Sequence, residues 1–209
     1  MREKPIIFNG PMVRAILAGQ KSQTRRMCNP QPSANAHVTT FGGKPMRSWW
    51  ETGGDINRCP HGQVGDRLWV RESYADLRGT GIEHRPDTSR PIQRYAYSAD
   101  TLPGSSGDFA RKDFGIRWRP SIHMPRDACR LVLEITQVRV EQLQTISDAD
   151  CLAEGIQACS DGGYHVERGS HYSHYPVESF AALWTSTGAL WDSNPWVWVI
   201  AFKRVQGAD

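Results

Sequence analysis

CRLVLEITQVRVEQL, residues 129–143, is the stretch on which the fold turns. It holds no Gly or Pro, and its β-branched and leucine side chains suit a pleated, buried surface. Alternate residues of a strand share a face. Val132, Glu134, Thr136, Val138 and Val140 therefore fall on one side, and Leu131, Leu133 and Ile135 on the other. Both sides are mostly apolar, which predicts a strand covered on both faces. Just beyond it, Ser147 with Asp150 three residues on is a helix start, and Gly155 is a helix stop. A Gly-, His- and Tyr-rich loop is expected over 157–175. A second helix is expected over 177–187, with Val177, Phe180, Ala181 and Trp184 on one face. WVWVIAFKRV, residues 196–205, reads as the closing strand.

Working back toward the N-terminus, DRLWVRESY (66–74) and residues 94–98 read as strands, as do residues 4–8. NGPMVRAILAG (9–19) reads as a short helix: Asn9 or Gly10 caps it, Pro11 sits in the first turn and Gly19 ends it. GQKSQTRR then lies in a turn or at a strand start. Residues 28–58, rich in Pro, Gly, Ser, Asn and Thr, read as a long loop, as do 75–92 and the Gly/Ser-rich 99–113. IRWRPSIHMPR (116–126) reads as an extended, proline-punctuated segment. Strands outnumber helices and their alternation is irregular. The expected class is α+β: one domain over 1–209, built as a small mixed or antiparallel barrel with flanking helices and insertions near 28–58, 75–113 and 157–175.

Composition sets outer limits. The 209 residues carry 25 Lys plus Arg against 22 Asp plus Glu, a net charge of +3 that permits a nucleic-acid partner without requiring one. With 39% apolar and 22% charged residues the chain is globular in balance. No apolar run approaches a membrane span or a secretory leader, so a cytoplasmic protein with no membrane association is expected. The five cysteines are scattered without a CxxC pair, which argues against a disulfide framework or a zinc ribbon. His171 and His174 lack a third ligand nearby, as do Cys59 and His61, so no metal and no cofactor is expected.

Two features carry candidate chemistry. Glu134 is a carboxylate in an otherwise apolar strand, either functional or paired with an arginine. Lys21 and Thr24 lie three apart just past a helix. In a turn they converge, whereas in a flat strand they point to opposite faces. A desolvated lysine crowded by Arg25 and Arg26 can act as a base for a threonine hydroxyl. Alternatively, the basic residues simply meet the helix dipole. Arg111–Arg130, where cations interleave with Phe114 and Trp118, is either a surface that tracks a single strand or a solvated basic face.

The segment Gly19–Arg26 matches the GxKxxxxR pattern of the ASCH domain, a PUA-like barrel superfamily. ILAGQKSQTRR also resembles the corresponding run of the small bacterial ASCH amidohydrolases that act on N4-acetylcytidine. CPHGQVGDRLWVRE, RWRPSIHMPR and NPWVWVIAFKR resemble blocks of phage and prophage ASCH proteins. The resemblance implies a metal-independent amidohydrolase acting on N4-acylcytosine nucleosides. It implies Thr24 as nucleophile, Lys21 as base and Glu134, from the EIT strand motif, as acid. Thr24 could instead only orient a water. Arg26 or a backbone N–H would meet the oxyanion. A flat base would find stacking partners in Trp69 and Trp118 and polar contacts in Arg71 and Glu72, although alternation sets those last two on opposite faces. In the other reading, these tryptophans are core and Glu72 is paired with an arginine. The expected partner is a small-molecule nucleoside, with RNA as a second possibility. A binding module without turnover and a ribonuclease are the alternatives within the same superfamily.

Overall fold

The computed structural model describes residues 1–33, 36–41, 44–51, 57–81 and 92–205. In chain order, β1 (Glu3–Ile7) leads into α1 (Gly10–Leu17), whose first turn is capped where Met12 N donates to Asn9 Oδ1 at 3.0 Å. β2 (Gln23–Met27) follows, then β3 (Ala36–Phe41), β4 (Lys44–Glu51) and β5 (Asn57–Arg58). β6 (Arg67–Arg71), β7 (Tyr74–Asp76) and β8 (Tyr95–Tyr97) precede α2 (Ser106–Asp113). The long strand is β9 (Val132–Gln142), followed by α3 (Asp148–Ala153), β10 (Gln157–Ala158), β11 (Tyr164–Val166) and β12 (Ser170–Ser173). α4 (Pro176–Ser186) and β13 (Trp196–Arg204) close the chain.

The class is α+β. The principal sheet has the order β1-β6-β9-β13-β2, with β13 antiparallel to both β9 and β2. Three smaller sheets are β3-β4-β5, β7-β8 and β10-β11-β12. Among the described residues none of the four closes on itself, so the expected barrel is represented only by an open sheet.

Three expected loops carry regular structure instead. Residues 28–58 contain the antiparallel β3-β4-β5 sheet. The segments HVTTF and PMRSWW have the β-branched and aromatic content of strands, but surrounding Gly and Pro obscure it. Residues 157–175 contain β10-β11-β12, where Gly163 leaves the space that the Tyr172 ring occupies. Within 99–113 the backbone forms α2. Ser105 accepts from Asp108 N, and Asp108 pairs with Arg111 and Lys112 at 2.8 Å each. A cap and two i,i+3/i+4 pairs thus outweigh the poor propensity of the local Gly and Ser.

The chain gathers into two compact units, one made of Met1–Lys4, Ala15–Leu68 and Leu133–Asp209, the other of Pro5–Arg14 and Trp69–Val132. In the first, α3 and α4 cover one face of the β13 region. Cys151, Ile156, Phe180 and Trp184 bury against Val197 and Val199 in a single apolar cluster. In the second, Tyr74, Tyr95, Met124 and Ala128 form one cluster and Ala75, Leu77 and Ile116 another, with Trp118 packed on the latter.

β9 is irregular at a decisive place. Its register against β13 slips between Gln137↔Ala201 and Ile135↔Phe202, so Thr136 is an extra residue. A bulge of this kind flips the alternation. Leu133 and Ile135 are buried before it, Val138 and Val140 after it. Glu134 therefore does not share a face with Val138 and Val140. It lies opposite Lys203, with a third of its side chain exposed. The carboxylate read as buried from alternation is half-open, because alternation does not survive the bulge.

Candidate active site

β2 is an edge strand, and the turn before it is tied down at several points. Gln20 N and Lys21 N both donate to the Ala15 carbonyl, at 2.8 and 3.1 Å, folding the chain back over the end of α1. Ser22 N donates to Ala153 O and Ser22 O accepts from Phe202 N, which stitches the turn to α3 and to β13. Pairing thus begins at Ser22, and the strand alternation extends back to Lys21. Lys21, Gln23 and Arg25 face α3, as their partners show, while Thr24 and Arg26 take the other side.

The α3 side is an ion network. Lys21 Nζ donates to the Glu154 carbonyl and to Glu154 Oε2, both at 2.8 Å, with side-chain exposures of 1% and 4%. Glu154 Oε1 accepts from Arg25 Nη1 at 3.1 Å. Arg25 Nη2 donates to Glu141 at 2.6 Å and Asp150 at 3.2 Å. Arg139 donates to Glu141, to Asp150 and, through Nη1, to Gln23 Oε1. Gln23 in turn donates to Asp150 at 3.0 Å. Three cations thus meet three carboxylates in one closed, mostly dry cluster. Gly155 makes this possible locally. Its φ of +102° lets the chain leave α3 at once, and a Cβ there would touch the Lys21 Cβ at 3.4 Å.

Burial lowers the Lys21 pKa from its ordinary value. Glu154 pulls the other way, by charge and by hydrogen bond, while Arg26 and Arg25 add to the depression. Burial also lowers the pKa of Arg26, against the attraction of Glu154. Chemically this is a lysine whose neutral form is made accessible by desolvation and whose proton has a carboxylate waiting beside it.

The predicted residues are distributed unevenly. Lys21 sits at the centre of the network. Thr24 is buried at 1% exposure, paired with Ile200 on β13 and turned to the opposite side of β2 from the Lys21 amine. Arg26 shares the Thr24 face. Glu134 joins neither: its carboxylate meets Lys203 Nζ at 3.1 Å. Thr24 pairs with Ile200, and Glu134 with Lys203 on the far side of β13, so about 14 Å separates their Cα atoms on ordinary sheet spacings. The acid that meets Lys21 is Glu154. Glu154 and Asp150 are four apart at α3, a spacing that sets two carboxylates on one helix face. That signal stood in the sequence, but only the fold brought it to Lys21.

Trp69, Arg71, Glu72 and Trp118 belong to the second unit, where they pair among themselves and with their neighbours. The Trp69 ring lies under the guanidinium groups of Arg71 and Arg126, 5.4 and 5.8 Å from its centroid. Arg71 Nη2 donates to the Ile122 carbonyl. Glu72 is 1% exposed and accepts both arms of Arg130, Nε at 2.9 Å and Nη2 at 3.1 Å. Burial raises the Glu72 pKa and Arg130 offsets that rise. Trp118 packs on the Ala75–Leu77–Ile116 cluster, with Arg111 5.1 Å over its ring. The Glu72–Arg130 pair matches the ion-pair reading and Trp118 the core reading, while Trp69 is half-buried beneath two guanidinium groups.

Among the described residues no helix is long and apolar enough to cross a membrane, and no three His, Cys, Asp or Glu side chains group to hold a metal ion. Comparison of the chain with protein-family models, with curated proteins and with solved structures found no match.

Proposed function

We propose that the chain is an ASCH-type amidohydrolase with a PUA-like sheet, acting on N4-acylated cytosine nucleosides. The observation that carries the proposal is the Lys21–Glu154 pair, a desolvated amine and a carboxylate 2.8 Å apart at the root of the strand that bears Thr24. The GQKSQTRR resemblance supplies the reaction class.

In this reading Thr24 Oγ1 attacks the acyl carbonyl carbon and its proton reaches Lys21 by relay through water, as do the later proton transfers, because the amine lies across β2 from the hydroxyl. The tetrahedral oxyanion faces Arg26, which shares the Thr24 side of β2. Collapse breaks the C–N4 bond, and the departing amine takes a proton from the Lys21–Glu154 pair. Water then attacks the threonyl ester, giving its proton back through Lys21, and releases the carboxylic acid with Thr24 restored. Glu154 takes the acid role that the EIT motif suggested for Glu134.

A second reading has one observation in its favour: the Lys21 amine and Thr24 lie on opposite sides of β2. A binding module for modified nucleosides or RNA needs no such convergence. A spectrophotometric assay with N4-acetylcytidine separates the two. The amidohydrolase loses turnover in Thr24→Ala and in Lys21→Met and keeps it in Glu134→Gln. No absorbance change with folded wild-type protein overturns the catalytic reading, and retained affinity for the nucleoside in that case establishes the binding module.

A further inference from the structure

The first unit contains a cavity of about 440 Å³ that the catalytic reading does not use. Arg2, Lys4, Arg58, Gly62 and Asp66 are among the residues that line it. Its cations come from two segments far apart in the chain: residues 2–4 at the start of β1, and β5. Lys4 Nζ donates to the Pro60 carbonyl at 2.8 Å, which holds its ammonium at the wall. The one carboxylate of the lining is already engaged by backbone. Asp66 Oδ1 accepts from Arg2 N at 2.7 Å and Oδ2 from Gln63 N at 3.1 Å. The lining therefore presents three cations against one acid whose oxygens are occupied. Gly62 shapes the wall. Its φ is +129°, and a Cβ there would press on Asp66 and on the Ile135 side chain at 3.2 Å.

A concave surface with this surplus concentrates anions, and the arginine fork matches the oxygens of a phosphate. The volume suits a ligand of nucleotide size. Next to the cavity, His61 is held neutral, its pKa lowered to about 4 by burial and by the charges of Arg26 and Lys4. Gly62, in the lining, lies against Ile135, and Ile135 shares its buried face of the principal sheet with Val138, whose register partners across β13 and β2 are Ile200 and Thr24. The lining therefore borders the sheet face that carries Thr24.

From this geometry we infer that the cavity is a phosphate-binding subsite, gripped by Arg2, Lys4 and Arg58, for a nucleotide whose base is presented to the Thr24–Arg26 face. The inference deepens the proposed function and rests on it for the identity of the base. The phosphate comes from a free nucleotide or from a polynucleotide strand, and both present the same oxygens.

Titration calorimetry with cytidine, cytidine 5′-monophosphate and the dinucleotide CpC tests it, with inorganic pyrophosphate as a base-free probe. The expected result is at least about tenfold tighter binding of a phosphorylated probe than of cytidine, weakening as salt is raised. Arg58→Gln and Lys4→Gln each remove about tenfold from that affinity and leave cytidine binding unchanged. Arg58 is exposed, so its variant folds even if the Lys4 variant does not. Preference for the monophosphate identifies a free nucleotide, and preference for CpC a strand. Equal binding of all three cytosine ligands, or affinities untouched by Arg58→Gln, overturns the subsite. Pyrophosphate binding that Arg58→Gln weakens upholds it even if N4-acetylcytidine is never turned over, so the two proposals fail separately.

Discussion

Two buried glutamates, one in each compact unit, are both caged by cations, and their cages differ in kind. Glu72 accepts both arms of a single arginine, Arg130, whose side chain is 26% exposed and which also holds the half-open Asp100. Glu154 accepts from a lysine and an arginine that are themselves 1% and 0% exposed. In the first cage one cation serves two carboxylates and solvent reaches the cluster. In the second, three cations and three carboxylates neutralise one another, with Lys21, Arg25 and Glu154 dry at the centre and Asp150 at the rim. An open pair tolerates the loss of a partner because water replaces it. A closed pair does not, because the orphaned charge stays buried. Among the three cations of the closed cage, the lysine is the one whose ordinary chemistry includes losing a proton near neutrality when desolvated.

The largest expected effect follows from that contrast. Glu154→Gln leaves Lys21 and Arg25 buried without their shared carboxylate and should cost about 3–5 kcal/mol in chemical denaturation. The double variant Lys21→Met/Glu154→Gln should recover part of the loss. Strictly additive costs would show that the two residues do not act as a pair. Second, Lys21→Met should reduce N4-acetylcytidine turnover by about 100- to 10,000-fold, the range for a lost general base, in steady-state assays on folded protein. Third, Glu72→Gln replaces one of the two oxygens that accept from Arg130 with an amide donor, but Arg130 keeps Asp100 and solvent, so the loss should be about 1–3 kcal/mol by the same denaturation measurement. A loss there equal to that of Glu154→Gln would erase the distinction between the two cages.

The cages also differ in the sign of their pH dependence. Burial raises the Glu72 pKa, so its contribution to stability is fully present below the ordinary glutamate value and is lost as pH climbs through the raised one. Burial lowers the Lys21 pKa, so its contribution is fully present above 10.5 and is lost as pH falls through the depressed value. Wild type should therefore lose ground to Glu72→Gln as pH rises above the ordinary glutamate value. It should gain on Lys21→Met as pH rises from neutrality toward 10.5. Denaturation midpoints across pH read both slopes, and slopes of the same sign would contradict the assignment. The smallest effect belongs to Glu134→Gln, whose exposed partner Lys203 limits the change to about 0.5 kcal/mol.

The elements with strong local signals were legible in the chain. β9, β13, α1, α3 and α4 lie within a few residues of where periodicity and caps put them, and Ser147 accepts from Asp150 N as the helix-start pattern required. The three misread loops have a common cause. β3-β4-β5, β10-β11-β12 and α2 are short elements set among Gly, Pro and Ser. Their stability comes from pairing and capping partners that composition does not reveal. Glu134 shows the same limit at one residue. Its face was inferred from alternation, and the extra residue Thr136 broke the alternation without any mark in the sequence.

The sequence by itself determined the class, the strong strands, the capped helices and the placement of Lys21 and Thr24 just past the end of α1. These follow from near-neighbour rules of spacing and backbone preference. Only the tertiary structure decided that Lys21 meets Glu154, 133 residues further along, and that Glu134 belongs to Lys203. It also decided that Arg2, Lys4 and Arg58 converge on one cavity. Such meetings depend on strand order, register and the turn at Gly155. They are set by how the apolar faces pack together, which no local pattern of residues records.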